Sequence, residues 1–139
     1  MVQLIIGQKG KGKTTAILSK VNEEIKTATG NIVFLDKDSQ HMYELNNRIR
    51  LIDVSVYPIS NPDEFVGFVS GIISQDHDLQ QMYFDSFLKI AAVEDCEIAA
   101  TIEKLEKIST QFGVDFILSV SKDEAELPES VKKNIVISL

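Results

Sequence analysis

Near the start of the chain, Gly7, Gly12, Lys13 and Thr14 have the types and spacing of a polyphosphate site. A backbone can wrap around several phosphates and donate successive N–H groups only where side chains leave room, as Gly7, Gly10 and Gly12 do. A lysine then adds a compact positive charge, and a threonine hydroxyl is a suitable ligand for Mg²⁺. These residues therefore predict an anion site with an associated divalent cation.

The segment reads GQKGKGKT and fills the pattern GxxxxGK followed by Ser or Thr, which is that of a Walker A phosphate-binding loop. Lys13 suits the β- and γ-phosphates of a nucleotide, Thr14 the metal and Thr15 the α-phosphate. We expect Lys9 and Lys11 to be solvated charges that raise the local potential. The alternative is a lysine-rich glycine turn without a ligand. The predicted binding residues are Gly7, Gln8, Lys9, Gly10, Lys11, Gly12, Lys13, Thr14 and Thr15.

The residues on either side fit such a loop, which joins a buried strand to a helix. Residues 2–6 are apolar and prone to form a strand. After the loop, apolar residues recur at helical spacing, and we expect this helix to end near Gly30, in the left-handed position that glycine favours. The unpaired N–H groups at the start of the helix would then face the phosphates.

Carboxylates follow two later apolar segments. Residues 32–35 run into Asp36, with Asp38 two positions on, and residues 82–84 run into Asp85. Short strands that are apolar throughout are typical of a parallel sheet covered on both faces, and ligands bind at the carboxyl edge of such sheets. The segment MYFDS therefore predicts a Walker B strand, in which Asp85 holds a water of the Mg²⁺ shell.

The rest of the chain continues the alternation of strands and helices. Asn61 and Pro62 are strong signals for a helix start, and Gly67 and Gly71 in that helix predict a close approach to a neighbouring element. Residues 49–57 are β-prone without clear bounds. Next comes a long amphipathic helix with Glu94, Asp95 and Glu97 suited to its N-terminus and an apolar face between residues 98 and 112, which Gly113 ends. The remaining predicted elements are a strand over 116–120, a short helix over 128–133 and a strand over 135–139.

Composition bounds the class of protein. The chain has 139 residues and fits one domain, 1–139, with no apolar run long enough to span a membrane, so we expect a cytoplasmic protein. The net charge of −7 divides into +3 over residues 1–26 and −10 over the remainder, which makes nucleic acid an unlikely partner. The single cysteine, Cys96, is expected to be a helix residue, and His41 a surface residue.

The order of these motifs resembles the ATPase core of the RecA-like P-loop proteins. Strands alternating with helices already imply a mainly parallel sheet with helices on both faces. The resemblance implies, more narrowly, a three-layer α/β/α sandwich around a five-stranded sheet in the order 5-1-4-3-2. It also implies ATP, or another nucleoside triphosphate, and Mg²⁺ as the ligands.

In that family an acid after the second strand orients the attacking water, which here points to Asp38, with Asp36 as the alternative. The polar end of the strand over 116–120 resembles a position that senses the γ-phosphate, which nominates Ser119 or Ser121. An arginine finger is not evident, and the candidates to replace it across a subunit interface are Lys132 and Lys133.

Two functions remain open at this stage. One is a Mg²⁺-dependent ATPase in which Lys13 and Asp38 are catalytic and Thr14 and Asp85 hold the metal. The other is a slow or inactive nucleotide-binding module that regulates a protein partner, with or without homo-oligomer formation. A small-molecule kinase is disfavoured because residues 121–130 contain no arginine, and a GTPase because Asp85 does not begin a DxxG motif.

Overall fold

The computed structural model describes residues 1–94 and 97–139, and its centre is one sheet in which every neighbouring pair of strands is parallel. The sheet has six strands in the order β3-β2-β4-β5-β1-β6. The strands are β1 (Val2–Ile6), β2 (Asn31–Asp36), β3 (Arg50–Asp53), β4 (Leu79–Phe84), β5 (Asp115–Val120) and β6 (Ile135–Ser138).

The predicted class is confirmed, but the predicted strand count of five is wrong. The five predicted strands lie in the predicted order, and β3 is added at the edge beyond β2. Of the β-prone residues 49–57, only Arg50–Asp53 form a strand, and Val54–Val56 form a 3-10 turn. As an edge strand, β3 is only partly buried and carries charged residues at both ends, so its sequence lacks the apolar run of the inner strands.

In the described part of the chain, five α-helices connect or follow the strands. They are α1 (Lys13–Glu24), α2 (Pro62–Ser74), α3 (Phe87–Ile90), α4 (Ile98–Phe112) and α5 (Glu129–Lys132). Asn61 caps α2 by accepting a hydrogen bond from the backbone N–H of Glu64, and Gly113 ends α4 with a φ of 67°. The predictions for Asp95 and Cys96 lie outside the described residues. Within them, no helix combines the length and apolar character that crossing a bilayer requires.

Alternate residues of the inner strands enter two separate hydrophobic cores. On one face of the sheet, residues such as Leu4, Phe84 and Leu118 pack with α2 and α4. On the other face, residues such as Phe34 and Tyr83 pack with α1. This alternation follows from the two-residue period of a strand, and it explains why the inner strands are apolar throughout. It also holds α1, and therefore the loop before it, firmly against the sheet.

Three of the glycines outside the loop, Gly30, Gly67 and Gly71, do not act as the sequence predicts. Helix α1 ends at Glu24, and Gly30 lies outside the left-handed region. Its role is close packing, because a Cβ at Gly30 would lie 2.2 Å from the backbone carbonyl oxygen of Asp78. Conversely, Gly67 and Gly71 are exposed on α2, and a Cβ at either position would meet no atom within 4 Å. Close approach therefore occurs at Gly30 and not along α2.

These two environments predict opposite effects of the same substitution. We expect Gly30→Ala to destabilise the protein by about 2–4 kcal/mol, because the methyl group would displace the backbone of Asp78. We expect the matched Gly71→Ala to stabilise it by about 0.5–1 kcal/mol, because alanine restricts the unfolded chain and is the better helix former. Urea unfolding of both variants measures these changes, and equal effects would contradict the packing described at Gly30.

Candidate functional site

A cavity of about 610 Å³ opens where β1, β4 and β5 end. Its walls come from the glycine-rich loop, from the start of α1 and from the residues that directly follow the strands. The lining residues are Lys9, Gly10, Gly12, Lys13, Thr14, Thr15, Lys37, Asp85, Ser86, Leu88, Lys89, Ser119 and Ser121. Its volume is in the range of small-molecule binding pockets.

The loop before α1 has the backbone shape that its glycines allow. Gly10 and Gly12 have φ values of 88° and 94°, and a Cβ at either would point into space free of atoms within 4 Å. Gly12 is also the N-cap of α1, and no side chain caps this helix start. The first N–H groups of α1 therefore remain available to an anion in the cavity.

The other predicted loop residues divide into two groups. Lys9 and Thr15 line the cavity, whereas Gln8 and Lys11 do not. The side-chain amide of Gln8 instead donates to Asp123 Oδ2 at 3.1 Å and contacts Glu126. Gly7 is buried, and its N–H donates to the carbonyl oxygen of Lys122 at 3.0 Å, so that it fastens the loop to the segment after β5.

Lys13 is the buried cation of the site. Its side chain lies in the cavity wall, and its Nζ donates to the backbone carbonyl oxygen of Gln8 at 3.1 Å. Burial lowers the pKa of Lys13, while the negative charge of Asp85 acts in the opposite direction. Because a single neutral carbonyl is a weak partner for an ammonium group, an anion in the cavity would be a stronger one.

Asp85 is fixed by two hydroxyl groups from different elements. Thr14 Oγ1, at the start of α1, donates to Asp85 Oδ2 at 3.0 Å, and Ser119 Oγ, on β5, donates to Asp85 Oδ1 at 2.5 Å. Ser119 also accepts the N–H of Ser86 at 2.8 Å. Both Asp85 and Ser119 are buried. The structure therefore brings Thr14 and Asp85 together, and it assigns the Ser119 hydroxyl to holding Asp85.

A second acid lies beside Asp85. Asp36, the last residue of β2, is fully buried, and its Oδ1 accepts the N–H of Lys37 at 2.7 Å. Its Oδ2 is buried and has no hydrogen-bond partner among the residues that the structure describes. Burial raises the pKa of Asp36 to about 6, and the negative charge of Asp85 adds to the effect.

His41 completes a small cluster with the two acids. One carboxylate oxygen of Asp36, one of Asp85 and one ring nitrogen of His41 lie within 4.8 Å of one another. His41 Nδ1 is 2.5 Å from Glu44 Oε2, and this hydrogen bond is the main cause that raises the pKa of His41. The sequence predicted His41 only as a surface residue and did not predict its approach to the two acids. The turn that folds His41 back towards Asp36 has no periodic pattern from which this could be inferred.

Asp38, the acid predicted to orient water, does not line the cavity. Its Oδ1 accepts the N–H of Gln40 at 3.0 Å within the turn after β2. Two further lysines, Lys37 and Lys89, do line the cavity, and neither was predicted from the sequence to belong to the site. The one feature of the sequence that could have indicated these lysines is their position, since each closely follows an acid at the end of a strand, Asp36 or Asp85.

The remaining basic residues lie elsewhere. Arg48 donates to the carbonyl oxygen of Ile25 at 3.2 Å, and Arg50 begins β3. Lys132 pairs with Glu129 on α5 at 3.0 Å. Within residues 1–94 and 97–139 the cations that line the cavity are therefore all lysines.

Solved structures share this fold. One is a KaiC-like protein from the hyperthermophilic archaeon Pyrococcus horikoshii, with a TM-score of 0.65 and 19% identity, matched over 95% of this chain and 67% of that one. Another is the flagellar accessory protein FlaH from Methanocaldococcus jannaschii, with a TM-score of 0.59 and 13% identity, matched over 95% of this chain and 65% of that one. The chain thus spans about two-thirds of the length of each. No family model and no curated protein matches the sequence.

These neighbours support a RecA-like P-loop fold. At such low identity the likeness concerns the course of the chain and not the identity of its ligands. The cavity must therefore be interpreted from its own residues.

The raised pKa of Asp36 predicts a stability that depends on pH. The folded protein holds this proton up to about pH 6, whereas an unfolded aspartate loses it near pH 4. The contribution of Asp36 to the free energy of unfolding therefore falls as pH rises from about 4 to about 6, and it stays at the lower value above pH 6. In EDTA at pH 7.5 we expect Asp36→Asn to raise the free energy of unfolding by on the order of 2 kcal/mol, and at pH 4.5 by much less.

Urea unfolding at the two pH values measures the difference. Asp38→Asn removes one charge from the same turn but outside the buried cluster, and it is the matched control. An Asp36→Asn variant whose advantage is the same at pH 4.5 and pH 7.5 would contradict the burial of an ionisable carboxyl group here.

Proposed function

We propose that the chain binds a nucleoside triphosphate, ATP in the first instance, together with Mg²⁺, and hydrolyses it. The observation that carries this proposal is the hydrogen bond between Thr14 and Asp85 at the edge of a cavity that Lys13 lines. It joins the residues of the two sequence motifs in one site. The RecA-like fold of the structural neighbours agrees with this assignment.

The residues at this edge fit a magnesium ion. Mg²⁺ prefers oxygen ligands and keeps several waters, and the Thr14 hydroxyl and the Asp85 carboxylate are adjacent oxygen groups. When bound, the ion would neutralise charge on the phosphates. In this proposal Thr14 is the direct ligand, and Asp85 holds a water of the shell. Ser119 keeps Asp85 in place through its hydrogen bond.

The loop and its lysine would bind the phosphates. The start of α1 has no side-chain cap, and its first three residues, Lys13, Thr14 and Thr15, line the cavity. Lys13 would exchange the carbonyl oxygen of Gln8 for phosphate oxygens, which are charged and therefore stronger acceptors. Hydrolysis would then depend on positioning and on electrostatic stabilisation of the transferred phosphoryl group.

Lysines take the place of an arginine finger in this proposal. Lys37 and Lys89 line the cavity together with Asp85, and neither has an ion-pair partner among the described residues. Their charges would stabilise the charge that develops on the γ-phosphate. Lys132 and Lys133 lie outside the cavity and would act only on a nucleotide bound by another copy of the chain.

Two acids, Asp38 and Asp36, are candidates for orienting the attacking water. Asp38 has the position implied by the RecA-like resemblance, but its carboxylate caps a turn outside the cavity. Asp36 lies beside Asp85 and is the alternative. The position of Asp38 favours the second candidate function, a slow or inactive nucleotide-binding module whose bound nucleotide alters affinity for a protein partner.

Nucleotide binding is tested first. We expect ATP to bind more tightly with Mg²⁺ than without it, and Lys13→Ala to weaken binding on the order of 100-fold because a charge-assisted contact is lost. Isothermal titration calorimetry with ATP, GTP and their non-hydrolysable analogues measures these affinities and the base preference. Lys107→Ala, at an exposed lysine of α4 outside the cavity, is the control. Equal affinities of the two variants would refute the proposed site.

Turnover then separates the two candidate functions. If the chain is a hydrolase, we expect Asp38→Asn or Asp36→Asn to lower kcat while the affinity for ATP persists, and Lys89→Ala to lower kcat about tenfold through lost charge stabilisation. Release of inorganic phosphate, measured over a range of protein concentrations, is the readout. Absence of turnover above background in the parent protein, with tight Mg²⁺-dependent binding, would establish the binding module instead.

A further inference from the structure

We propose that Asp36, His41 and Asp85 form a second cation site, which takes a first-row transition-metal dication such as Zn²⁺ and does so without nucleotide. Among residues 1–94 and 97–139 this is the one group of three histidine, cysteine or acidic side chains whose ligand atoms lie within 4.8 Å of one another. The site involves neither the glycine-rich loop nor Lys13, so it does not depend on the proposed nucleotide function.

The unpartnered oxygen of Asp36 is the first independent sign of a ligand. A buried carboxylate oxygen without a hydrogen bond is costly, because it has lost water and gained nothing in return. Asp36 Oδ2 is such an atom, and it belongs to a fully buried side chain. A metal ion between Asp36 and Asp85 would satisfy this oxygen and offset the repulsion between the two acids.

The hydrogen bond of His41 is the second independent sign. Metal-binding histidines commonly donate one ring N–H to a carboxylate, which leaves the other nitrogen free for the metal. His41 Nδ1 is hydrogen-bonded to Glu44 Oε2, and its Nε2 has no protein hydrogen-bond partner among the described residues. We therefore assign Nε2 as the ligand and Glu44 as the positioning residue that orients the ring.

The dimensions suit an ion after a small movement. Ligand atoms around a tetrahedral zinc ion at about 2.1 Å from the metal lie about 3.4 Å apart. One oxygen of each acid and one ring nitrogen of His41 are within 4.8 Å of one another, and the His41 side chain is 21% exposed, so it can move towards the acids together with Glu44. Three protein ligands would leave an open position for water, as in zinc sites that perform chemistry.

The ligand set selects against magnesium. Imidazole nitrogen is a good ligand for zinc and other late transition metals, whereas Mg²⁺ prefers oxygen ligands and retains its waters. The hydroxyl and carboxylate pair of Thr14 and Asp85 suits Mg²⁺, and the triad with His41 suits Zn²⁺. Asp85 is shared, so the two ions would lie side by side at the edge of the sheet.

Calorimetric titration of the nucleotide-free protein with ZnCl₂ and, separately, MgCl₂ tests the proposal. The protein should carry no histidine tag and should contain Cys96→Ser, because a thiol would compete for zinc. We expect one Zn²⁺ per chain, bound at least 100-fold more tightly than Mg²⁺. We expect His41→Gln or Asp36→Asn to weaken Zn²⁺ binding at least 100-fold, with His77→Gln, the other histidine, unchanged.

The positioning role of Glu44 has its own readout. We expect Glu44→Gln to weaken Zn²⁺ binding about tenfold, as for other partners of metal-bound histidines, with no change in Mg²⁺-dependent ATP affinity or in thermal stability. Restoration of the affinity by Glu44→Asp would identify the carboxylate itself as the cause. An unchanged zinc affinity in Glu44→Gln would refute this role.

The outcomes distinguish this proposal from the proposed function. Zinc binding that persists in Lys13→Ala and is lost in His41→Gln supports the triad, whether or not ATP binds. Zinc affinity that is the same in His41→Gln and in the parent, or no greater than the affinity for Mg²⁺, overturns it. ATP binding by the parent in that case would leave the nucleotide function intact.

Discussion

The site depends on one carboxylate held from two sides. Asp85 receives a hydroxyl hydrogen bond from Thr14 on α1 and another from Ser119 on β5, and it follows the central strand β4 directly. Three elements that are distant in sequence are therefore tied to a single buried charge. Because a buried charge must be matched by hydrogen bonds, this contact fixes where the glycine-rich loop lies relative to the sheet.

The same edge of the sheet concentrates groups that are poorly satisfied. Among residues 1–94 and 97–139, one oxygen of Asp36 has no hydrogen-bond partner, and the hydrogen-bond acceptor of Lys13 is a neutral carbonyl. Asp85 lies beside Asp36. Asp36 Oδ2 is the one buried side-chain oxygen or nitrogen without a hydrogen-bond partner in the part of the chain that the structure describes, so this accumulation is local. Unsatisfied polar groups at one place, next to a cavity, are the physical signature of a site that acquires partners on binding.

Much of this arrangement was predictable because it depends on short patterns of neighbouring residues in the sequence. The loop follows from the spacing of its glycines and Lys13, and the inner strands follow from apolar runs that end in Asp36 and Asp85. The edge strand β3 was not predictable in its bounds, because it is only partly buried and its charged ends hide the pattern. The packing role of Gly30 was also hidden, since it depends on a contact with Asp78 in a distant segment.

The cluster around His41 shows the same limit in the site itself. The sequence of the turn after β2 does not predict that His41 approaches Asp36 and Asp85. That approach depends on hydrogen bonds within the turn and not on residue periodicity. The proximity of Lys37 and Lys89 to the site likewise followed only from the three-dimensional shape of the cavity that they line. Sequence patterns thus predicted the strand ends, and tertiary contacts determined which side chains meet there.

The position of β1 has a consequence for how the protein folds. β1 pairs only with β5 and β6, so Val2 lies beside Phe116 and Leu4 beside Ile135. The strand that leads into the glycine-rich loop therefore finds no partner in the first half of the chain, and long stretches must be ordered before its hydrogen bonds form. The complete cavity therefore requires the last third of the polypeptide to be in place beside the first strand.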